Sequence, residues 1–213
     1  MRITVAGWGN VGRTLGSGWA RAGHSVVIAT RDPDSQAAAG WRAEGWNVSS
    51  VQSAADSDVV VLAMPGAAVV EVATNNAAAL NGRLVIDTTN ALGSDGALNR
   101  LPELSQALPD ARLVRAFTTM AWENFADPVI DGQTLDQYYV GAPEPGTADD
   151  ESVAELIADL GLRPVRLGGL DQVMHLDALT KSWFHLVWQL GYPRRTALTI
   201  TTTSSQDHRG AGR

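Results

Sequence analysis

The chain has 213 residues, a formal net charge of −7, 45% hydrophobic and 18% charged residues, and no cysteine. That length holds one full nucleotide-binding domain and a small addition, with ample core. The acidic balance argues against nucleic acid or an anionic membrane as a partner, and the missing cysteines exclude disulfides, thiolate metal sites and cysteine catalysis.

A strand is expected from residue 2, with Ile3 and Val5 buried, so no leader segment is read and a cytoplasmic location is expected. Gly7, Gly9 and Gly12 then form G-x-G-x-x-G, followed by helical spacing of apolar residues over Val11–Ala22 and a second apolar run over Val26–Ala29. Strand, glycine turn, helix and strand within about thirty residues are the context in which this motif binds a dinucleotide. Gly7 serves the tight turn, Gly9 the approach of a pyrophosphate, and Gly12 close packing of helix on strand. The free amides at the helix start, with the positive end of its dipole, receive the phosphates.

The end of the second strand selects the nucleotide. A site for NAD places Asp or Glu there to accept from the ribose 2′-hydroxyl. This chain has Ala29-Thr30-Arg31 instead. A hydroxyl and a guanidinium suit a 2′-phosphate, so NADP(H) is the expected cofactor. Asp32 is read as the N-cap of a helix that has Pro33 at its first position.

Further on, helices are expected over Gln36–Trp46 and Val51–Ala55, with a short strand over Val48–Val51 between them. The strand Asp58–Met64 closes at Pro65-Gly66, and a helix follows over Ala67–Leu80. Strands at Arg83–Asp87 and Leu113–Phe117 flank a helix at Leu101–Leu108. This alternation predicts a parallel sheet covered on both faces, with ligands outside the C-terminal strand ends. A Pro- and Gly-rich stretch, Gly141–Gly146, marks the internal boundary. It divides a Rossmann domain, 1–143, from a small C-terminal domain, 144–198, and a tail, 199–213, read as disordered. The C-terminal part reads as a strand at Tyr138–Val140, a helix at Asp149–Leu160, a strand at Leu162–Leu167 and a long apolar-striped helix at Leu170–Leu190. The fold class is thus α/β: a doubly wound Rossmann sheet with a small α/β extension ending in a long helix.

The segments AGWGNVGRTLGSGWARAGHSVVIATRDP, VVVLAMPG, VIDTTN, RLVRAFTTM, DLGLRPVRLGGL and LTKSWFHLVW, in this order, resemble the NADPH-dependent reductases of the deazaflavin coenzyme F-420. The resemblance spans the chain to about Leu198. It implies hydride transfer between nicotinamide and deazaflavin with no obligatory acid–base residue, a small-molecule partner and a homodimer. It places NADP contacts at Trp8, Gly9, Asn10 and Val11, with Thr30, Arg31 and Ser35 on the 2′-phosphate. Met64, Pro65, Asn90 and Ala121 complete the cofactor set. Two departures stand out: Trp8, where relatives carry a small residue, and Thr118, where many carry Asn. Trp8 is expected to lie over the ribose or shield the cleft, and Thr118 to alter the nicotinamide-side pocket.

Asp177, Lys181 and His185 share one helix face at i, i+4, i+8, and read as a surface ion pair with a neighbouring histidine, or else as a proton relay. Trp183, Phe184, Leu186, Val187, Trp188 and Leu190 read as core or interface, or as a pocket wall. Asp87 reads as a structural or loop-capping carboxylate, or else as a substrate contact, and Arg194-Arg195 as a solvated pair, or else as partners of an anionic coenzyme tail; no metal site is expected. Two other functions fit the same sequence: an NADPH reductase of a small ketone or imine, and a non-catalytic NADP-sensing module.

Overall fold

The computed structural model describes residues 1–91 and 97–202. Its first six β/α passes wind a parallel sheet: β1 (Arg2–Ala6), α1 (Asn10–Arg21), β2 (Ser25–Thr30), α2 (Gln36–Ala43), β3 (Asn47–Ser50), β4 (Val59–Leu62), α3 (Val69–Asn75), α4 (Ala77–Leu80), β5 (Leu84–Asp87), α5 (Leu101–Ala107) and β6 (Arg112–Ala116). After α6 (Trp122–Ala126) and a hairpin of β7 (Val129–Ile130) and β8 (Gln133–Thr134) come β9 (Asp136–Gly141), α7 (Ala148–Ala158), β10 (Arg163–Gly168) and α8 (Val173–Phe184). The sheet order is β10-β9-β6-β5-β4-β1-β2-β3, and β9 runs antiparallel to β6. This is the Rossmann-type α/β fold expected, with the sheet carried on by two further strands.

The central strands are apolar along their whole length because both faces are covered. Val59–Leu62 and Leu84–Ile86 are all buried. The larger core lies between α1, α7 and the sheet, with Trp19, Leu15 and Leu156 inside it. The Trp19 indole N–H donates to the Leu156 carbonyl at 2.9 Å and so ties α1 to α7.

Several boundaries differ from expectation for local reasons. The helix expected over Ala67–Leu80 breaks at Asn76, whose side chain donates back to the Val72 carbonyl. The long C-terminal helix enters through a 3-10 turn at Leu170–Gln172 and leaves through a π-helical turn at His185–Gln189. Asp32 is not the cap of α2. Ser35 is, accepting from the Ala38 amide at 3.3 Å and donating to the Asp32 carbonyl at 2.8 Å. The π-turn is followed by a strap of irregular chain. In the segment expected to be disordered, residues 203–213 lie outside the described residues, whereas Ile200 donates its amide to Asp136 and accepts from Arg163. No helix of the described residues is long and apolar enough to cross a membrane.

Candidate nucleotide and hydride-transfer site

β1 and β4 are neighbours, and the chain crosses in opposite directions from them, so the loops after their C-terminal ends diverge and leave a crevice. The glycines of the motif divide into two kinds here. Gly7 has φ +104°, and a Cβ on it would lie 2.3 Å from the Ala63 carbonyl oxygen. A Cβ on Gly12 would lie 2.1 Å from the Gly7 oxygen, so both are required by the protein's own packing. A Cβ on Gly9 would meet nothing within 4 Å. Gly9 caps α1 with no side-chain hydrogen bond, and the first turn of α1 holds no acidic residue. The unpaired amides and the helix dipole therefore face open space at the one glycine that no protein contact demands, which is the cradle a pyrophosphate fits.

Two cavities flank this cradle. A hollow of about 220 Å³ is lined by Gly7, Trp8, Thr30, Arg31, Trp41, Val51, Met64, Pro65 and Val72, among others. Arg31 is exposed and has no hydrogen bond or ion pair among the described residues, leaving its fork of donors free at the end of β2. Its apolar walls and one free guanidinium suit an adenosine carrying a 2′-phosphate. Ser35 lies outside the lining, and its hydroxyl is already used as the α2 cap. Trp8 borders this hollow. It is 8% exposed, packs edge-on against Trp46 at 4.9 Å, and rests on α1 where Gly16 spares a Cβ that would lie 2.5 Å from its ring. The bulk of this departure is thus accommodated by a second glycine.

The larger cavity, about 410 Å³, opens on the other side of the cradle. Gly9, Asn10, Val11, Met64 and Pro65 form its cradle side, Thr88–Asn90 and Met120–Trp122 its floor, and Trp183, Phe184, Trp188 and Arg194 its outer wall. The Phe184 and Trp188 rings stack at 4.3 Å with 8° between planes, and the π-helical turn brings Trp188 round to the opening. Phe117, also on the lining, has φ +60° with its ring locked edge-on between Trp19 and Phe125. A bulky residue held in that conformation redirects the chain after β6 toward the cavity.

Among the described residues, Arg194 is the one ionisable group on the lining. It pairs in bidentate fashion with Glu123 at 2.6 and 3.0 Å. That hydrogen bond holds the Glu123 carboxyl below its usual pKa, against the opposing effect of burial. Arg194 and Arg195 are not a solvated pair: Arg195 also binds Asp127 and the carbonyls of Glu123, Asp127 and Val129.

The helix face Asp177–Lys181–His185 is corrected too. Asp177 is turned inward, accepting from Arg115 at 3.3 Å and from Asn99 at 2.6 Å, and none of the three residues lines the cavity. Thr118 is buried behind the floor, where its carbonyl accepts from the Asn90 amide. It therefore does not alter the pocket wall directly. Asp87 is structural as expected, fully buried, capping the Thr89 amide and pairing with Arg115. Arg115 itself escaped the sequence reading. Its signal was a lone cation inside the apolar strand Leu113–Ala116, which a buried strand tolerates only with partners.

Residues 2–91 match the family model "NADP oxidoreductase coenzyme F-420-dependent". The match covers the nucleotide half, which is similar to NADP oxidoreductases, as the resemblance of the motifs implied. A solved structure from Arthrobacter sp. FB24, provisionally described as an F-420-dependent NADP reductase, is 26% identical, with a TM-score of 0.80 over 95% of this chain and 100% of that one. Two more distant likenesses speak for the fold alone. The pyrroline-5-carboxylate reductase of Coxiella burnetii is 19% identical, at a TM-score of 0.60 over 90% of this chain and 72% of its own. An imine reductase of Streptomyces aurantiacus is 16% identical, at 0.63 over 89% and 65%.

Proposed function

We propose that the protein transfers hydride between NADP(H) and the deazaflavin ring of coenzyme F-420. The adenosine 2′-phosphate half would occupy the smaller hollow beside Thr30 and Arg31, with the pyrophosphate on the α1 amides. The nicotinamide would enter the larger cavity past Asn10, Asn90 and Ala121. The observation that carries this reading is the character of that cavity: aromatic walls and, among the described residues, one ionisable group, Arg194, already paired. Hydride transfer between two planar rings needs close stacking and exclusion of water, and the protein's part is orientation. Phe117, Trp122, Trp183 and the Phe184–Trp188 stack supply apolar surfaces for it.

Reduction of a small ketone or imine would require a positioned proton donor. Asp177, Lys181 and His185, read from the sequence as an alternative proton relay, do not line the cavity, and this weighs against that reading. Trp188, Leu190 and Tyr192 remain more than half exposed at the end of the C-terminal helix. A homodimer covering them is part of the same proposal, because exposed aromatic clusters of this kind mark interfaces.

The test is an absorbance assay of purified protein with oxidised coenzyme F-420 and either NADPH or NADH. Bleaching of the deazaflavin band with NADPH and little with NADH is expected. NADPH binding without bleaching, but with turnover of cyclic imines, would replace the deazaflavin reading by the imine one. Binding without turnover on any acceptor would favour a sensing role.

A further inference from the structure

The Arg115 guanidinium is completely buried and has every donor engaged. Its Nε donates to Asp177 of α8 at 3.3 Å. One terminal nitrogen donates to the Asp87 carboxylate at 2.8 Å and the Thr89 carbonyl at 2.5 Å. The other donates to the Asn90 side-chain oxygen at 2.9 Å and the Leu98 carbonyl at 3.3 Å. Asp87 and Arg115 are direct cross-strand partners on β5 and β6, so the pair is set by sheet register. Asn90 is held from its other end as well, its amide donating to the Thr118 carbonyl at 3.1 Å. One guanidinium therefore fixes the cavity floor at Thr89 and Asn90 and, through Asp177, the helix that carries the Trp183 and Phe184 wall.

We propose that Arg115 is a positioning residue. It fixes the Asn90 side chain, on the lining of the larger cavity, in place beside the nicotinamide end of the cofactor and sets the spacing between floor and wall. The inference rests on the proposed placement of the nicotinamide in the larger cavity. Only a planar fork with five donors reaches all of these acceptors; a lysine offers a point charge with three. Lysine at this position would hold Asp87 and release Asn90. The expected consequence is selective: the nicotinamide half of NADPH loses affinity while the adenosine half, bound in the other hollow, does not.

The experiment is calorimetric titration of NADPH and of adenosine 2′,5′-bisphosphate into the wild type, Arg115→Lys, Asn90→Ala and the double variant. For Arg115→Lys the NADPH dissociation constant is expected to rise about tenfold, with that of the bisphosphate unchanged. Asn90→Ala should reproduce the loss, and the double variant should add nothing further, because the two residues act as one unit. Equal weakening of both ligands, no weakening, or additive losses would overturn the proposal. Should Arg115→Lys fail to fold, Arg115→Met with Asp87→Asn and Asp177→Asn leaves no unpaired buried charge and carries the same expectation. In the wild type, NMR of the Asn90 side-chain amide supplies a check free of substitutions. Its signal should shift with NADPH and not with the bisphosphate, and an unmoved signal would also overturn the assignment. If wild-type NADPH binds no tighter than the bisphosphate, the nicotinamide placement itself fails, whatever the variants do.

Discussion

The two cavities that meet at the start of α1 are built in different ways. The smaller one is lined mainly by residues from the first seventy-odd positions, on consecutive strand ends whose geometry is dictated by nearby glycines. The larger one gathers loops after β1, β4, β5 and β6 with the far end of the C-terminal helix, and a buried ion network holds its floor. In the proposed reading, recognition of the nucleotide is local, resting on backbone amides and Arg31, and placement of the acceptor depends on long-range packing. Substitutions should therefore separate binding of the adenosine half from everything that happens on the other side of the cradle.

The sharpest separation is expected within the glycine motif. Gly12→Ala would force a Cβ to 2.1 Å from the Gly7 carbonyl, so it should destabilise the fold by roughly 3 kcal/mol or more and abolish binding with it. Gly9→Ala meets open space in the free protein. Its denaturant midpoint should match the wild type within about 0.5 kcal/mol, while NADPH affinity falls by at least about tenfold. Equal stability losses for the two would contradict the division between packing glycines and the ligand-facing one.

A step smaller is Arg31→Ala. A hydrogen bond to a charged group is worth roughly 1.5–3 kcal/mol, so the NADPH dissociation constant should rise about tenfold to a hundredfold while that of NADH hardly changes. Parallel weakening of both nucleotides, measured by tryptophan fluorescence quenching, would move the 2′-phosphate away from Arg31.

These residues also mark what the sequence could and could not disclose. The motif, the strand ends and the missing carboxylate after β2 are contiguous, so the nucleotide reading they support is legible from spacing and residue type alone. The π-turn that brings Trp188 to the cavity and the left-handed backbone of Phe117 carry no local signal, since each is imposed by packing. Asp177 looked exposed by helical periodicity because Lys181 and His185 lie on its face. Its partner Arg115 stands 62 positions away. The room for Trp8 was not legible either, because Gly16, which supplies it, lies two helical turns along and looks unremarkable in sequence.

Away from both cavities, the C-terminal strap should give way first on acidification. Burial raises the pKa of Asp136, but hydrogen bonds from Arg163, the Ile200 amide and Tyr138 outweigh it and hold the carboxyl below its usual value. Asp150 is likewise held down against burial by the Gly146 amide, Tyr139 and Arg166. Groups depressed in the folded state contribute stability above the unfolded value, near 3.9, and lose it as pH falls through the folded value. Denaturant midpoints should therefore keep the full, unchanging contribution of these two groups between about pH 5 and 8 and decline below about pH 4. A decline beginning near pH 6 would implicate other groups. The smallest effect belongs to Ser35→Ala, which removes the α2 cap. It should cost about 1 kcal/mol of stability and leave the NADPH/NADH preference intact. A lost preference would return Ser35 to the phosphate site.

The central claim is that the larger cavity brings a nicotinamide and a planar acceptor ring face to face, with orientation as the protein's part. Single-turnover stopped-flow absorbance tests it most directly, mixing the protein with oxidised coenzyme F-420 and NADPH carrying either hydrogen or deuterium at the transferred C4 position. Loss of the deazaflavin band in step with NADPH oxidation, slowed by the deuterium, is the expected result. An unchanged deazaflavin band in a protein that binds NADPH would contradict it.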